Sequence, residues 1–406
     1  IYSVDTVCPS EIGMKTNFVE PLPDEKNITN LGDFSRLLLT AEVPGAGKSY
    51  SVLSRYQENC VVVCPTNALC VEFRQKYPGC TAVTLHKFLR EVPQDDEAPS
   101  FEVTSKKQIE ENMILLLDEI YMYDFRLLGK LYFRLLTTKA LKVFATGDPN
   151  QLPPIGEATT KQLHIRTPAK EKRMKAVEHL FPNQMSLVHC KRGDPTTNEQ
   201  MKSIAVFMKL PGATTKVILG LIKRSCTSIP YQRAIEMMKE DMYKYVAVCY
   251  YNLTCHHVAH SVLPHGTKLR VGTKLVNRKM RVFDFESDNS VTKKPIMVNY
   301  EYLVKELNAD GTAHLVDVNG IYDGVFVVDQ GHIERHMHWA QTRTCHSLQG
   351  SSVSSPLLLF DLESKRISPE FIYVALTRAR DMKTIYVVEG CRASASLDQL
   401  DYNPLY

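Results

Sequence analysis

Apolar residues in this chain gather into short unbroken runs: Leu37-Leu38-Leu39, Cys60–Cys64, Thr81–Thr84, Met113–Leu117 and Leu141–Thr146. Runs of that length, bounded by polar and turn residues, predict strands covered on both faces. Between them, Ser51–Tyr56, Ala68–Lys76 and the stretch from Asp118-Glu119 to about Thr138 read as helices. Strands alternating with helices predict an α/β fold on a parallel, doubly wound sheet, whose ligands collect at the carboxyl ends of the strands. The alternation resumes with Met185–His189, Lys216–Leu221 and Tyr245–Tyr250, where Asn252 is placed to cap the next helix. It returns at Leu357–Phe360 and Thr384–Val388.

Three segments break this rhythm. Residues 1–33, with Pro9, Gly13, Pro21 and Pro23, read as an arm or the end of an upstream region. Residues 91–112 hold Pro93, Asp95-Asp96-Glu97 and Pro99 and read as a loop or small hairpin protruding between strands. Residues from about 271 to 340 show short alternating patterns with Gly272, Gly311 and Gly320, which predicts a small β insertion. The expected organisation is a first domain at 34–183 and a second at 184–406 that contains this insertion.

Composition adds limits rather than identity. With 406 residues the chain can bury two or three separate cores. A net charge of +4, from 49 Lys and Arg against 45 Asp and Glu, is too small to imply a nucleic-acid partner, so any basic track must be local. The cysteines contain no C-x-x-C pair, which argues against a zinc ribbon or disulfide framework and for buried thiols in an intracellular protein. Cys255, His256, His257 and His260 have ligand-like spacing but fall where a helix should pack on a sheet. No apolar run approaches the ~20 residues a membrane helix needs, so no membrane partner is expected. No signal peptide is visible, and a first residue Ile1 suggests a piece of a larger protein.

The chemistry sits at the predicted strand ends. Glu42-Val43-Pro44-Gly45-Ala46-Gly47-Lys48-Ser49 follows the first run. Glycines there permit a turn whose N–H groups form a nest for a β-phosphate, with Lys48 reaching the β/γ oxygens and Ser49 ligating Mg²⁺. Glu42 stands where the motif has its first glycine, and a plain Gly-rich turn before a helix is the blander reading. Asp118-Glu119 ends the fourth run: Asp118 would hold Mg²⁺ through water, and Glu119 would polarise the water attacking the γ-phosphate. An acidic helix start is the structural alternative. Gly147-Asp148-Pro149-Asn150-Gln151-Leu152-Pro153-Pro154 ends the fifth run, where Gln151 can hydrogen-bond the γ-phosphate. In the second half, Thr344–Ser351 and Val374–Arg380 supply a polar turn and the arginine Arg378, which could stabilise charge on a transferring phosphoryl group.

In order, Pro44–Ser49, Cys64-Pro65-Thr66-Asn67, Thr84-Leu85-His86, Asp118-Glu119, Gly147–Pro154, His346–Gly350 and Val374–Arg378 resemble the motifs of superfamily 1 helicases. The likeness is to the RecD-like and Dda-like branch, covers roughly residues 35–390, and its style of divergence suggests a viral member. The resemblance implies two RecA-like domains with small β insertions, an SH3-like subdomain at 271–340 and a strand-separating pin at 91–112. It implies ATP and Mg²⁺ as cofactors, held by Pro44, Gly45, Ala46, Gly47, Lys48, Ser49 and Gly350, with Ser49 and Asp118 at the metal. Lys48, Asp118, Glu119, Gln151, Arg378 and Arg192, which follows Leu187, would be catalytic. Thr66, Asn67, His86, His346 and Ser351 would touch a single strand, DNA favoured over RNA. The implied activity is an ATP-dependent helicase or translocase. A viral nucleoside-triphosphatase acting also on RNA 5′ ends, and a nucleotide-gated scaffold, are the other readings. Other replication proteins would be partners, and a viral member would work in the cytoplasm or nucleus of its host cell.

Overall fold

Two parallel sheets and one antiparallel sheet carry the chain. The computed structural model describes residues 31, 34–41, 45–89, 113–136, 138, 140, 142–152, 154, 163–187, 199, 202–204, 206, 207, 214–288, 290–320, 322–349, 353–379 and 381–391. The first sheet contains β1 (Arg36–Ala41), β2 (Cys60–Cys64), β3 (Thr81–Thr84), β4 (Ile114–Leu117), β5 (Lys142–Thr146) and β6 (Gln184–Leu187). Their order is β3-β2-β4-β5-β1-β6, every neighbour parallel. Helices α1 (Lys48–Tyr56), α2 (Asn67–Lys76), α3 (Leu85–Leu89), α4 (Phe125–Leu136) and α5 (Leu163–Leu180) connect and cover it.

Every residue of β2 and β4 is buried, as unbroken apolar runs require when both sheet faces are covered. One face packs Val61, Val63, Leu115 and Leu117 against Leu128, Leu131 and Leu135 of α4 and Phe181. The other packs Val62, Leu116 and Phe144 against Val52 and Leu53 of α1 and Leu69 of α2. The order β4-β5-β1 sets the carboxyl ends of three strands side by side, although their sequences lie far apart.

The second half begins with α6 (Thr215–Ser225), β7 (Thr227–Pro230), α7 (Tyr231–Glu240), β8 (Val246–Cys249) and α8 (Asn252–Val262). An antiparallel sheet follows: β9 (Lys274–Asn277), β10 (Arg281–Ser287), β11 (Ser290–Ile296), β12 (Glu301–Leu307), β13 (Thr312–Asp317), β14 (Val325–Asp329) and β15 (Met337–Trp339), with α9 (Gln330–His336) before its last strand. Then β16 (Thr342–Thr344), β17 (Leu357–Leu359), α10 (Pro369–Leu376) and β18 (Ile385–Glu389) complete a parallel sheet ordered β16-β8-β17-β18-β7. Val71 of α2 joins the hydrophobic cluster of the antiparallel sheet, and Gln75 Nε2 donates to the Asn319 carbonyl at 2.9 Å. First domain and insertion therefore touch directly.

Two expectations need correction. The described part of the run at 185–189, expected as the first strand of the second domain, belongs to β6 of the first sheet, paired with β1 from Leu38↔Gln184 to Ala41↔Leu187. The first domain thus extends past 183. As an edge strand β6 buries only Leu187, so its sequence carries little of the pattern that would assign it to a sheet. The run Lys216–Leu221, read as a strand, is part of α6. Ile218 and Ile222, one helical turn apart, are its buried residues, and the Thr214 hydroxyl caps its start by accepting from Val217 N at 3.4 Å. The strand comes just after it, at β7. Residues 91–112 lie outside the described residues, as do all but Leu31 of the expected arm at 1–33.

Among the described residues no helix is long and apolar enough to cross a membrane. All described cysteines are buried free thiols. Cys255 is core on α8, His256 tilts against His338 of β15, and no described group of three or more His, Cys, Asp or Glu could hold a metal ion.

Candidate nucleotide and strand sites

The turn from β1 into α1 uses left-handed backbone at Gly45 (φ 76°) and Gly47 (φ 82°), which side chains with a Cβ adopt only at a cost. Gly47 caps α1 with no side-chain bond, so the first N–H groups of that helix remain available to an anion. Lys48 and Ser49 open the helix beside the end of β4. There Ser49 Oγ donates to Asp118 Oδ1 at 2.6 Å, and Thr146 Oγ1, ending β5, donates to the same oxygen at 2.6 Å. Burial pushes the Asp118 carboxyl above its ordinary range, while these two hydroxyls and the Lys48 charge pull it back.

Glu119 next to it has φ 49°, a left-handed conformation costly for a glutamate and common at functional turns. Burial raises its pKa, Lys48 and Arg378 lower it, and the Asp118 and Asp148 charges raise it. Gln151 Nε2 sits 3.5 Å from Glu119 Oε1, and Gln151 is buried with its Oε1 lacking a partner among the described residues. Arg378 comes from the second domain at the end of α10. It is buried and donates to the carbonyls of Val374 (3.2 Å) and Leu348 (3.5 Å) and to Thr377 Oγ1 (3.1 Å). Five predicted residues, Lys48, Ser49, Asp118, Glu119 and Gln151, thus meet at three adjacent strand ends, and the Arg378 charge is felt at Glu119.

Thr66 Oγ1 caps α2 by accepting from Leu69 N at 3.3 Å. Thr66, Ala68, Leu69 and Glu72 form one wall of a cleft whose other walls are Arg343, His346, Ser347 and Gln349 of the second domain and Asn299 of the insertion. Thr66 and His346 are thereby brought to one cleft. Asn67 and His86 are not among its lining residues; Asn67 is the first residue of α2 and His86 lies exposed on α3. Pro44, Arg192, Gly350 and Ser351 lie outside the described residues.

Sequence reasoning passed over several residues of both sites. Thr146 supplies the second hydroxyl at Asp118. Arg343 is buried, donates to Ser347 Oγ, the Ser347 carbonyl and Glu301 Oε1 (3.1 Å), and so shapes the His346 turn. Tyr373 donates from its hydroxyl to Asp148 Oδ2 at 2.8 Å across the domain boundary. A tyrosine inside the fully buried run Phe371–Leu376 was the available signal, because a buried phenol must find an acceptor.

Residues 16–157 match a family model described as an AAA domain. The chain is similar to a Pif1 helicase solved for DNA unwinding at forked double-stranded DNA, at TM-score 0.54 and 15% identity, covering 94% of this chain and 97% of that one. It is also similar to Bacteroides Pif1 bound to single-stranded DNA, at TM-score 0.51 and 16% identity, covering 92% and 95%. No curated protein matches the chain. Over nearly its whole length the chain therefore has the two-domain α/β fold of those helicase structures, with parallel sheets in both domains.

Proposed function

We propose that this chain is an ATP-dependent helicase or translocase that advances along a single strand, DNA in preference to RNA. The observation that carries this reading is the shared use of two domains. The nucleotide site and the Thr66–His346 cleft are both built from the first and second domains, so closure on one ligand must reshape the seat of the other. The preference for DNA is supported by the fold shared with Bacteroides Pif1, which is bound to single-stranded DNA in its structure. Assignment to a viral member of the RecD-like and Dda-like branch rests on the sequence motifs.

Lys48 binds the β/γ-phosphates, Glu119 accepts a proton from the attacking water, Gln151 orients that water and the γ-phosphate, and Arg378 meets the charge that develops on transfer. The raised pKa of Glu119 suits a base that must take up a proton. A hydroxyl and a carboxylate in contact, Ser49 on Asp118, are hard oxygen ligands of the type Mg²⁺ takes, so these two residues would hold it. Bound there, it would neutralise phosphate charge. Thr66 and His346 grip the strand, chiefly by its backbone.

The test is hydrolysis of ATP at low salt with and without an unstructured oligonucleotide. Stimulation of many-fold by single-stranded DNA, and much less by blunt duplex, is expected. Hydrolysis that no single strand raises would leave a plain nucleotidase.

A further inference from the structure

We infer that Tyr373 and Gln349 are positioning residues, by which the second domain sets the loop Gly147–Leu152 and so holds Gln151 against Glu119. This inference rests on the helicase reading above and adds the residues that join its two halves.

The loop leaves the first sheet at one end and belongs to the second domain at the other. At its start, Gly147 N donates to the Leu39 carbonyl at 3.2 Å, and the Tyr121 ring lies so close that a Cβ on Gly147 would come within 2.7 Å of it. One residue later the ownership changes. Asp148 is buried; its Oδ1 accepts from Asn150 N at 2.9 Å, closing the turn, while its Oδ2 accepts the Tyr373 hydroxyl at 2.8 Å. At the far end, Gln349 Nε2 donates to the Leu152 carbonyl at 3.2 Å, and the Leu152 side chain sits in the second domain's core with Leu348, Phe371 and Val374. Gln151 lies between these two anchors. Its backbone N–H closes on the Asp148 carbonyl at 3.2 Å, so its side chain follows wherever the anchors go.

The anchors are themselves tied to the two ligand sites. Tyr373 stands on α10, five residues before Arg378. Gln349 ends the turn that carries His346, and both line the strand cleft. A strand seated at His346 therefore acts on Leu152 through one short turn and one hydrogen bond. That is a contiguous set of contacts between two sites, with the domain interface as the element that both bias.

Hydrogen bonds from tyrosine to a buried carboxylate are charge-assisted and directional, so losing one misplaces the loop without emptying the phosphate site. The experiment measures kcat and KM for ATP, with and without an oligodeoxythymidine, in wild type, Tyr373→Phe, Asp148→Ala, the double variant and Gln349→Met. Tyr373→Phe and Gln349→Met each lower kcat about tenfold in the presence of the strand and leave KM within about twofold, since a small displacement of a catalytic group costs rate rather than binding. In the Asp148→Ala background, Tyr373→Phe costs nothing further, because the contact is already gone. Equal effects of Tyr373→Phe in both backgrounds, or a rise in KM at constant kcat, overturn the inference. Gln349→Met reaches the loop independently of Tyr373 and keeps the test decisive if one variant folds poorly. A wild type that no strand stimulates overturns the helicase reading instead, and the kcat and KM pattern without oligonucleotide still decides the positioning role.

Discussion

Thr146 and Asp118 share a hydrogen bond of 2.6 Å, and through it the last residue of β5 supports the carboxylate that follows β4. Two hydroxyls thus converge on one buried oxygen and offset part of the rise in pKa that burial imposes on this carboxyl.

Thr146→Val removes one of these donors at nearly constant volume. The Asp118 carboxyl then rises further, so the acid limb of kcat/KM moves to higher pH. The Mg²⁺ concentration for half-maximal hydrolysis rises about tenfold, as expected for loss of a residue supporting a metal ligand. A pH profile and metal titration superimposable on wild type would show the bond to be structural only.

Lys48→Ala and Glu119→Gln both abolish hydrolysis, by different routes. The first removes the charge facing the β/γ-phosphates and weakens nucleotide binding. The second leaves binding largely intact and accumulates the bound complex. Equilibrium binding of a fluorescent ATP analogue separates them; a Glu119→Gln variant with most of its strand-stimulated activity would remove Glu119 from the role of base.

Arg378→Ala lowers kcat by something on the order of 10³ with a smaller change in nucleotide affinity if, as proposed, the guanidinium is supplied from the other domain at the transition state. Its partners include the Val374 and Leu348 carbonyls and the Thr377 hydroxyl of its own domain, which it would exchange on closure. Lost affinity with unchanged kcat would mark it as an arginine that only holds the domain together.

Much of the sheet architecture was legible because parallel strands buried on both faces leave unbroken apolar runs, as Cys60–Cys64 and Ile114–Leu117 do. The exceptions follow from the same physics. Lys216–Leu221 is a short apolar stretch whose one-turn spacing, Ile218 to Ile222, becomes clear only beyond its end, and β6 is an edge strand with one buried residue. Within the sites, residues in local motifs could be named from sequence. Contacts such as Tyr373 to Asp148 span 225 residues, and no local pattern announces them.

Asp361 provides a stability test away from the chemistry. Its buried carboxylate accepts from Tyr250 N, Tyr251 N and Thr254 Oγ1, yet burial outweighs them and pushes its pKa up to about 6. The unfolded chain ionises this group near pH 3.9. Its contribution to stability is therefore present below that value and lost as pH rises toward about 6. Thermal melts of wild type and Asp361→Asn should differ in slope across that window and run parallel above it. Parallel melts throughout would place the ionisation elsewhere.

Single-stranded DNA should bind with a log–log salt slope of roughly −0.7 per phosphate neutralised. His346→Ala should blunt stimulation of hydrolysis while sparing the unstimulated rate, read from ATPase titrations with oligonucleotide. An undiminished response would place the strand outside the cleft it lines with Thr66.

Leu152 gives the joint between the two domains a thermal signature. The side chain comes from the first domain but is packed among Leu348, Phe371 and Val374 of the second. Parting the domains at this seam would expose it to water at a cost of roughly 2 kcal/mol. That cost is hydrophobic in origin, so it shrinks on cooling. Cold should therefore loosen the joined domains and warmth tighten them, which makes Leu152 a temperature-dependent spring across the seam between them.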